Sequence, residues 1–212
     1  MKIFLTIVLS CFAVVAFPQQ KPNADAVRDV YTFDYAYELE VEVNGQKLEM
    51  TYHIKPGADY FGHSMKLIPT AFEVSDIGRK LIFKSLGKAA KVLPLEDGKK
   101  GPVSSRHQYT KLPDKNILGY HCIGVKAESD TEIAILYFTN EAEAAYLELY
   151  KKLRVHQFVL RMADYGFTEK SLLMLSDITR KKDNGHAVIA CTGFEKQPKT
   201  IRKADYKIAD NF

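Results

Sequence analysis

The feature that most constrains the fold is an alternation of apolar and polar residues over positions 30–55, interrupted by one turn signal. Every odd position from Tyr31 to Val43 is apolar, whereas most even positions are polar. A period of two residues predicts a long β-strand with one apolar face. Asn44-Gly45 is the strongest two-residue hairpin signal, and beyond it the apolar residues occupy even positions up to Ile54. The segment therefore predicts an antiparallel hairpin.

A two-residue turn also fixes the register of this hairpin. On the apolar face it pairs Val41 with Leu48, Leu39 with Met50, Tyr37 with Tyr52 and Tyr35 with Ile54. On the polar face it pairs Glu42 with Lys47 and Asp34 with Lys55, and it sets Glu40 opposite Glu49 at a mild cost. His53 also lies on the polar face, so we expect it to be solvated. The turn signal and the apolar alternation therefore predict the same register.

The rest of the chain predicts further strands and one helix. Strand patterns recur at 60–67, 71–75, 80–85, 117–126, 132–139, 171–179, 186–194 and within 200–208, roughly eight to ten strands in all. Asn140, with Glu141 and Glu143 after it, resembles a capping box and predicts a helical region over 141–166. The expected fold class is α+β, mainly β: a strongly curved antiparallel sheet, an open half-barrel, with the helical region on its concave face.

The N-terminus has the pattern of a secretory signal peptide. Lys2 precedes an apolar run that extends from Ile3 to Phe17, too short to span a bilayer comfortably, and polar residues follow. We expect a signal peptide over 1–16 with cleavage after Ala16, a flexible N-terminal segment over 17–29 and a single β-rich domain over 30–212. The protein would then be exported to the periplasm or the extracellular space.

Two alternatives to a cleaved signal peptide stay open. Residues 8–11 roughly fit a lipidation box ending at Cys11, although the apolar run continues beyond that cysteine instead of giving way to a polar tether. An uncleaved membrane anchor is the other alternative.

Removal of the signal peptide leaves two cysteines, Cys122 and Cys191, in a compartment where disulfides persist. We expect them to form a disulfide, and a loop of about 70 residues closed in this way stabilises a fold by roughly 4 kcal/mol on the chain-entropy model. The alternative is two buried free thiols that pack as small hydrophobes.

The composition and motifs exclude several functions. A net charge of +4 on 212 residues is far from the clustered positive charge of nucleic-acid-binding proteins. The sequence has no glycine-rich phosphate loop, no Gly-x-Ser-x-Gly elbow and no His-Glu-x-x-His motif, and its six histidines are scattered singly. We therefore expect no nucleic-acid partner, no cofactor, no metal and no catalytic residues, hence a protein that is not an enzyme.

The apolar hairpin face and the helix stripe are the remaining candidates for a binding site. A curved sheet with a helix across it can enclose a ligand cavity. The predicted lining residues are Tyr35, Tyr37, Leu39, Met50, Tyr52, Ile54, Tyr146, Leu149 and Leu153. The alternative is a fully packed core.

These patterns lead to two functional hypotheses. The first is an exported, non-enzymatic binding protein of the cell envelope that holds a lipid or another apolar molecule between sheet and helix. The alternative is an envelope structural or protein-interaction module with no small ligand, whose partner is an envelope protein. Basic groups such as residues 199–203 also allow peripheral contact with anionic lipids.

Several segments resemble a known family. Residues 31–37 (Tyr-Thr-Phe-Asp-Tyr-Ala-Tyr), 54–62, 117–122, 194–196 and 204–207 are similar to an uncharacterised family of exported bacterial proteins, domain of unknown function 4412. The resemblance extends over about 30–208 and implies a plan similar to the periplasmic lipoprotein carriers, an open β half-barrel lidded by helices. It brings no catalytic residues.

Overall fold

A computed structural model describes residues 24–95, 107–142, 162–168 and 170–209. These residues form one sheet of twelve strands in the order β12-β6-β5-β4-β3-β2-β1-β11-β10-β9-β8-β7. All neighbours are antiparallel except β6 and β12. The strands are β1 Val30–Val43, β2 Gln46–Ile54, β3 Tyr60–Met65, β4 Ile68–Asp76, β5 Leu81–Leu86, β6 Ala89–Pro94, β7 Gln108–Ile117, β8 Tyr120–Glu128, β9 Glu132–Thr139, β10 Leu172–Arg180, β11 His186–Arg202 and β12 Lys207–Ile208.

The predicted hairpin is confirmed in its turn and in its register. Asn44 and Gly45 have φ values of 50° and 84°, the left-handed conformations that a tight two-residue turn requires. β1 and β2 pair from Tyr35 opposite Ile54 to Val43 opposite Gln46, which includes all four predicted apolar pairs. Short-range turn geometry therefore determines this part of the sheet.

On the polar face of the hairpin, one predicted pair does not form, and the two acids of another predicted pair each bind a lysine. Pairing ends at Tyr35, so Asp34 does not meet Lys55, and Lys55 Nζ donates instead to Thr32 Oγ1 at 2.7 Å. Glu40 and Glu49 do lie opposite each other. A lysine offsets the negative charge of each acid. Lys47 donates a hydrogen bond of 2.7 Å to Glu40, and Lys66, in the turn of the next hairpin, donates one of 2.5 Å to Glu49.

The predicted α+β class, with a helical region packed on the sheet, is wrong. Within the described residues the sheet is accompanied only by short 3-10 turns at Ala24–Ala26, Met162–Tyr165 and Lys203–Asp205. The sheet is open, because it ends at β12 and β7. Most of the predicted helix, residues 143–161, lies outside the described residues. No described helix has the length and apolarity needed to cross a membrane.

Two hydrophobic cores lie on opposite faces of the sheet at β3. The larger core includes Tyr37, Leu39, Tyr52, Ile54, Phe61, Leu136, Phe138 and Met174. The smaller core comprises Val27, Tyr31, Phe33, Phe72, Val74, Leu81, Phe83, Ala90 and Ile201. Phe61 belongs to the larger core, while a Cβ atom on the next residue, Gly62, would lie 2.5 Å from the Phe72 ring and 3.0 Å from the Phe33 ring. Adjacent strand residues point to opposite faces, so the cores are separated by the sheet.

The odd residues of β1 are consequently shared between both cores. Tyr31 and Phe33 enter the smaller core, whereas Tyr37 and Leu39 enter the larger one. The change coincides with a register shift against β11, where Phe33 pairs with Lys199 but Tyr35 pairs with Lys196. The extra residue in β11 interrupts the regular ladder at this point, and the single apolar face that the alternation predicts is split there.

Candidate functional site

A cavity of about 260 Å³ lies against four consecutive strands, β3 to β6. Most of its surface is apolar. Its apolar lining residues are Met65, Ile68, Ala71, Phe72 and Leu86. Small-molecule sites commonly begin at about 300 Å³ and combine an apolar lining with a few polar groups. At about 260 Å³ this cavity falls just below that range, so its size suits only a small ligand.

The charged side chains of the cavity and one histidine form a single row that runs across the four strands, and Ser64 and Ser85 also line the cavity. His63 pairs with Glu73, Glu73 with Lys84, and Lys84 with Lys91. Residues paired across neighbouring strands lie on the same face. The hydrogen-bonded ladder thus brings together four side chains from four consecutive strands.

Glu73 is the only acid in this row, and it lies between two basic side chains. Its carboxylate oxygens are 3.8 Å from His63 Nδ1 and 3.9 Å from Lys84 Nζ. Burial lowers the pKa of His63, which Glu73 partly opposes. The row thus combines one carboxylate with two lysine side chains and one imidazole.

Apolar side chains continue from the cavity to the protein surface. Ile68 and Leu86 line the cavity and are 38% and 53% exposed, and Leu67 beside them is 80% exposed. The two hairpin ends that carry them are joined by a hydrogen bond from Gly87 N to Thr70 O at 3.0 Å. Exposed apolar residues that cluster in this way are typical of ligand, membrane or protein contacts.

The residues predicted to line a ligand site are found mainly in the larger core. Tyr37, Leu39, Tyr52 and Ile54 are 1–7% exposed. Tyr35 is half-buried and stacks on Phe194 at a centroid distance of 5.3 Å, and Met50 packs against the edge of the core. Tyr146, Leu149 and Leu153 lie outside the described residues.

The cavity is adjacent to this predicted set and is joined to it by the sheet register. Tyr52 pairs with His63, and their rings are 5.9 Å apart. The cavity is not predictable from the sequence pattern, because Ala89–Pro94 forms a strand without a clear period of two. Lys91 supplies a cross-strand partner for Lys84 only when that strand is in place. The alternation at 80–85 predicts a strand, but it does not predict which strands pair with it.

His53 is buried, contrary to the expectation that it is solvated. It is 3% exposed, and its ring lies 5.1 Å from that of Phe72 and 6.0 Å from that of Phe33. Its Nε2 lies 3.3 Å from Ser64 Oγ, while Nδ1 has no hydrogen-bond partner within the part of the chain that the structure describes. The smaller core covers the face that the hairpin pattern predicts to be polar.

Cys122 and Cys191 are free thiols in the structure rather than the predicted disulfide. Both are buried and belong to the larger core. Burial raises the pKa of both thiols, and that of Cys191 reaches about 12. Neither thiol is therefore ionised at neutral pH. Across the described ranges, His, Cys, Asp and Glu residues form no group of three that could hold a metal ion.

Comparisons with known proteins assign no family to the chain. No family model and no curated protein matches it. An uncharacterized conserved protein from Thermus thermophilus is similar in structure, with 10% identity over 78% of this chain and 79% of that chain and a TM-score of 0.43.

Two further solved structures that are similar to this chain have descriptions that name a role or a superfamily. A domain from Vibrio parahaemolyticus described as a putative outer membrane lipoprotein-sorting protein has 10% identity over 78% of this chain and 86% of that chain and a TM-score of 0.32. A LolA superfamily protein from Nitrosomonas europaea has 5% identity over the same shares and a TM-score of 0.30. Because each TM-score is below 0.5, these likenesses assign no function, and membership of domain of unknown function 4412 stays a prediction.

Proposed function

We propose that this protein is an exported, non-enzymatic binding protein of the cell envelope that holds a lipid or another apolar molecule in the cavity on β3–β6. The observation that carries the proposal is the cavity itself, about 260 Å³ in volume, mostly apolar and equipped with one short row of charged residues. Such a combination binds the apolar body of a ligand and orients its polar end.

The surroundings of the cavity support an apolar ligand. Each methylene group that a ligand transfers from water into an apolar site contributes about 0.8 kcal/mol. Ile68 and Leu86 extend the apolar surface to the outside, and Leu67 lies at the same edge. A ligand that leaves a membrane could follow these side chains without full exposure to water, which agrees with the predicted export and peripheral membrane contact.

A fluorescence assay with an apolar dye, N-phenyl-1-naphthylamine, tests the proposal. Ala71 lines the cavity and is half-buried, so Ala71→Phe fills part of the volume while the strand is retained. We expect the wild-type protein to bind the dye and Ala71→Phe to bind it about tenfold more weakly. Ala187→Phe is the matched control, since Ala187 is half-buried in β11 and does not line the cavity.

Two results would contradict the proposal. One is equal binding of the dye by the wild-type protein and Ala71→Phe, provided that both melt cooperatively. The other is an organic extract of protein purified from its native envelope that contains no co-purifying lipid or apolar molecule by mass spectrometry.

The alternative, a protein-interaction module with a packed core, is favoured by one edge of the sheet. β7 is the last strand on its side, and most of its residues are exposed. An exposed edge can accept a strand from a partner. However, Pro113 and the irregularity between Leu112 and Lys115 interrupt the edge, and both features oppose strand addition. Capture of one stoichiometric partner by crosslinking in intact cells would support this alternative.

A further inference from the structure

The Glu73 carboxylate lies in the cavity without a direct hydrogen bond to the side chains of the described residues. Its two ion-pair partners, His63 Nδ1 and Lys84 Nζ, are 3.8 Å and 3.9 Å away. A hydrogen bond from nitrogen to oxygen requires about 2.7–3.2 Å, so neither contact is one. The Glu73 side chain is only 21% exposed, and a mostly buried carboxylate without hydrogen bonds costs free energy. This carboxylate would therefore stabilise a donor group placed in the cavity.

The space between Glu73 and His63 fits one hydroxyl group. An oxygen atom placed between two atoms that are 3.8 Å apart can lie about 2.8 Å from both, which is an ordinary hydrogen-bond length. Burial lowers the pKa of His63, so its imidazole is neutral at neutral pH and carries one N–H donor. A ligand hydroxyl in this position donates to Glu73 and accepts from the Nδ1–H tautomer of His63.

The charges next to this position favour a neutral headgroup over an ionised one. An anionic headgroup in contact with the Glu73 carboxylate is repelled by it. An ammonium headgroup would compete with Lys84, whose Nζ already faces the same carboxylate. A hydroxyl group avoids both costs, because it donates a hydrogen bond and carries no charge.

We propose that the ligand is a small neutral alcohol with one apolar chain, whose hydroxyl group is bound between Glu73 and His63. This inference rests on the proposed function of the cavity and adds the chemical class of its ligand. The volume of about 260 Å³ suits one short chain. Water can bridge the same two groups, so the alcohol displaces it through the burial of its chain.

The strand geometry sets the direction of that chain. Glu73 and Ala71 are two residues apart in β4, and both line the cavity. Two residues of a strand span about 6.6 Å, and residues at this spacing share a face. Ala71 is the cross-strand partner of Leu86, which lies at the exposed hairpin end. The chain therefore extends from Glu73 over Ala71 towards Leu86.

Calorimetric titration of the full purified chain with two isomeric ligands, octanol and methyl heptyl ether, tests this inference. The two molecules have the same composition, but the ether has no hydrogen-bond donor. We expect the wild-type protein to bind octanol about tenfold more tightly than the ether, and Glu73→Met to bind both equally. Glu73→Gln keeps an acceptor oxygen and should retain a smaller preference for octanol.

Two further variants complete the test. His63→Phe retains a ring and should weaken both ligands about threefold, since both ligand oxygens accept from His63. Glu195→Met is the matched control, because Glu195 is exposed in β11 and does not line the cavity. It should retain the wild-type preference for octanol.

The outcomes separate this inference from the proposed function. If the wild-type protein binds both isomers equally, or if Glu73→Met keeps the tenfold preference, the cavity binds apolar ligands and the hydroxyl site is wrong. If neither isomer binds to the wild-type protein, the proposed function itself fails. Octylamine or octanoate that binds more tightly than octanol would overturn the neutral headgroup.

Discussion

Arg28 Nε donates a hydrogen bond of 2.7 Å to the carboxylate of Asp76, whose side chain is completely buried. This bond fixes the residues before β1 to the end of β4. Asp76 also accepts hydrogen bonds from Tyr31 Oη at 3.1 Å and from Arg79 N at 3.0 Å. The hydrogen bond to Asp76 raises the pKa of Arg28, and burial beside the same carboxylate raises that of Tyr31.

Loss of Asp76 should destabilise the protein far more than loss of Asp59. Both carboxylates bind Arg28, but the Asp76 side chain is 0% exposed and that of Asp59 is 50% exposed. We expect Asp76→Ala to lower the free energy of unfolding by about 3 kcal/mol, because it leaves buried donors without an acceptor. Asp59→Ala should cost less than about 1 kcal/mol. Urea unfolding of both variants checks this, and equal losses would contradict it.

His53 should make the fold less stable in mild acid. Burial, followed by the positive charge of Lys199 and by His63, lowers the pKa of His53 to about 4. The unfolded chain, with a histidine pKa of about 6.5, binds the proton first, so stability falls as the pH drops from 6.5 to 4, by up to about 3 kcal/mol. His53→Leu should remove this part of the pH dependence of unfolding.

Ser64→Ala is the control for His53, because it removes the partner of Nε2 and keeps the imidazole. It should retain the wild-type slope between pH 6.5 and 4. If His53→Leu and the wild-type protein lose stability in parallel over this interval, the titration of His53 is not responsible.

Gly62 should tolerate no side chain while Phe72 is present. A Cβ atom at Gly62 would lie 2.5 Å from the end of the Phe72 ring. We expect Gly62→Ala to lower the free energy of unfolding by about 1–3 kcal/mol, the usual cost of overpacking. In a double-mutant cycle, Phe72→Leu should recover part of this loss, since the shorter side chain vacates the contact. Strictly additive effects in denaturant unfolding would contradict the steric explanation.

Cys122 and Cys191 should be present as thiols that react only after unfolding. Both are buried, and the pKa of Cys191 is raised to about 12, so the reactive thiolate is scarce. We expect no alkylation by iodoacetamide in the native protein and full alkylation of both residues in guanidinium chloride without a reductant, as determined by peptide mass spectrometry. Resistance in denaturant that disappears on reduction would identify a disulfide instead.

The first hairpin shows how much of the sheet could be predicted from local sequence. The turn at Asn44-Gly45 and the alternation on both sides of it determine nine successive pairs between β1 and β2. All the information lies within 25 residues, and a slip by one residue would exchange the two faces. Most other strands were also indicated by alternation, whereas Ala89–Pro94 and much of Gln108–Ile117 have no clear period of two.

The division of aromatic residues between two cores could not be predicted in this way. The alternation places Tyr31, Phe33 and Tyr37 on one face, but they end in different cores. The division coincides with a register shift against β11, which has one extra residue opposite the segment between Phe33 and Tyr35. Since β11 lies more than 150 residues along the chain, no local pattern indicates it.

Local sequence suffices to predict a β-rich chain, a long first hairpin and its register, because turn geometry and a two-residue period act over a few neighbouring residues. Long-range strand pairing is needed to bury His53, to pack the predicted lining tyrosines in a core and to place Lys84 and Lys91 at one cavity. Each of these outcomes depends on the registers of several successive strand pairs. A cross-strand row exists only once all of those pairs have formed.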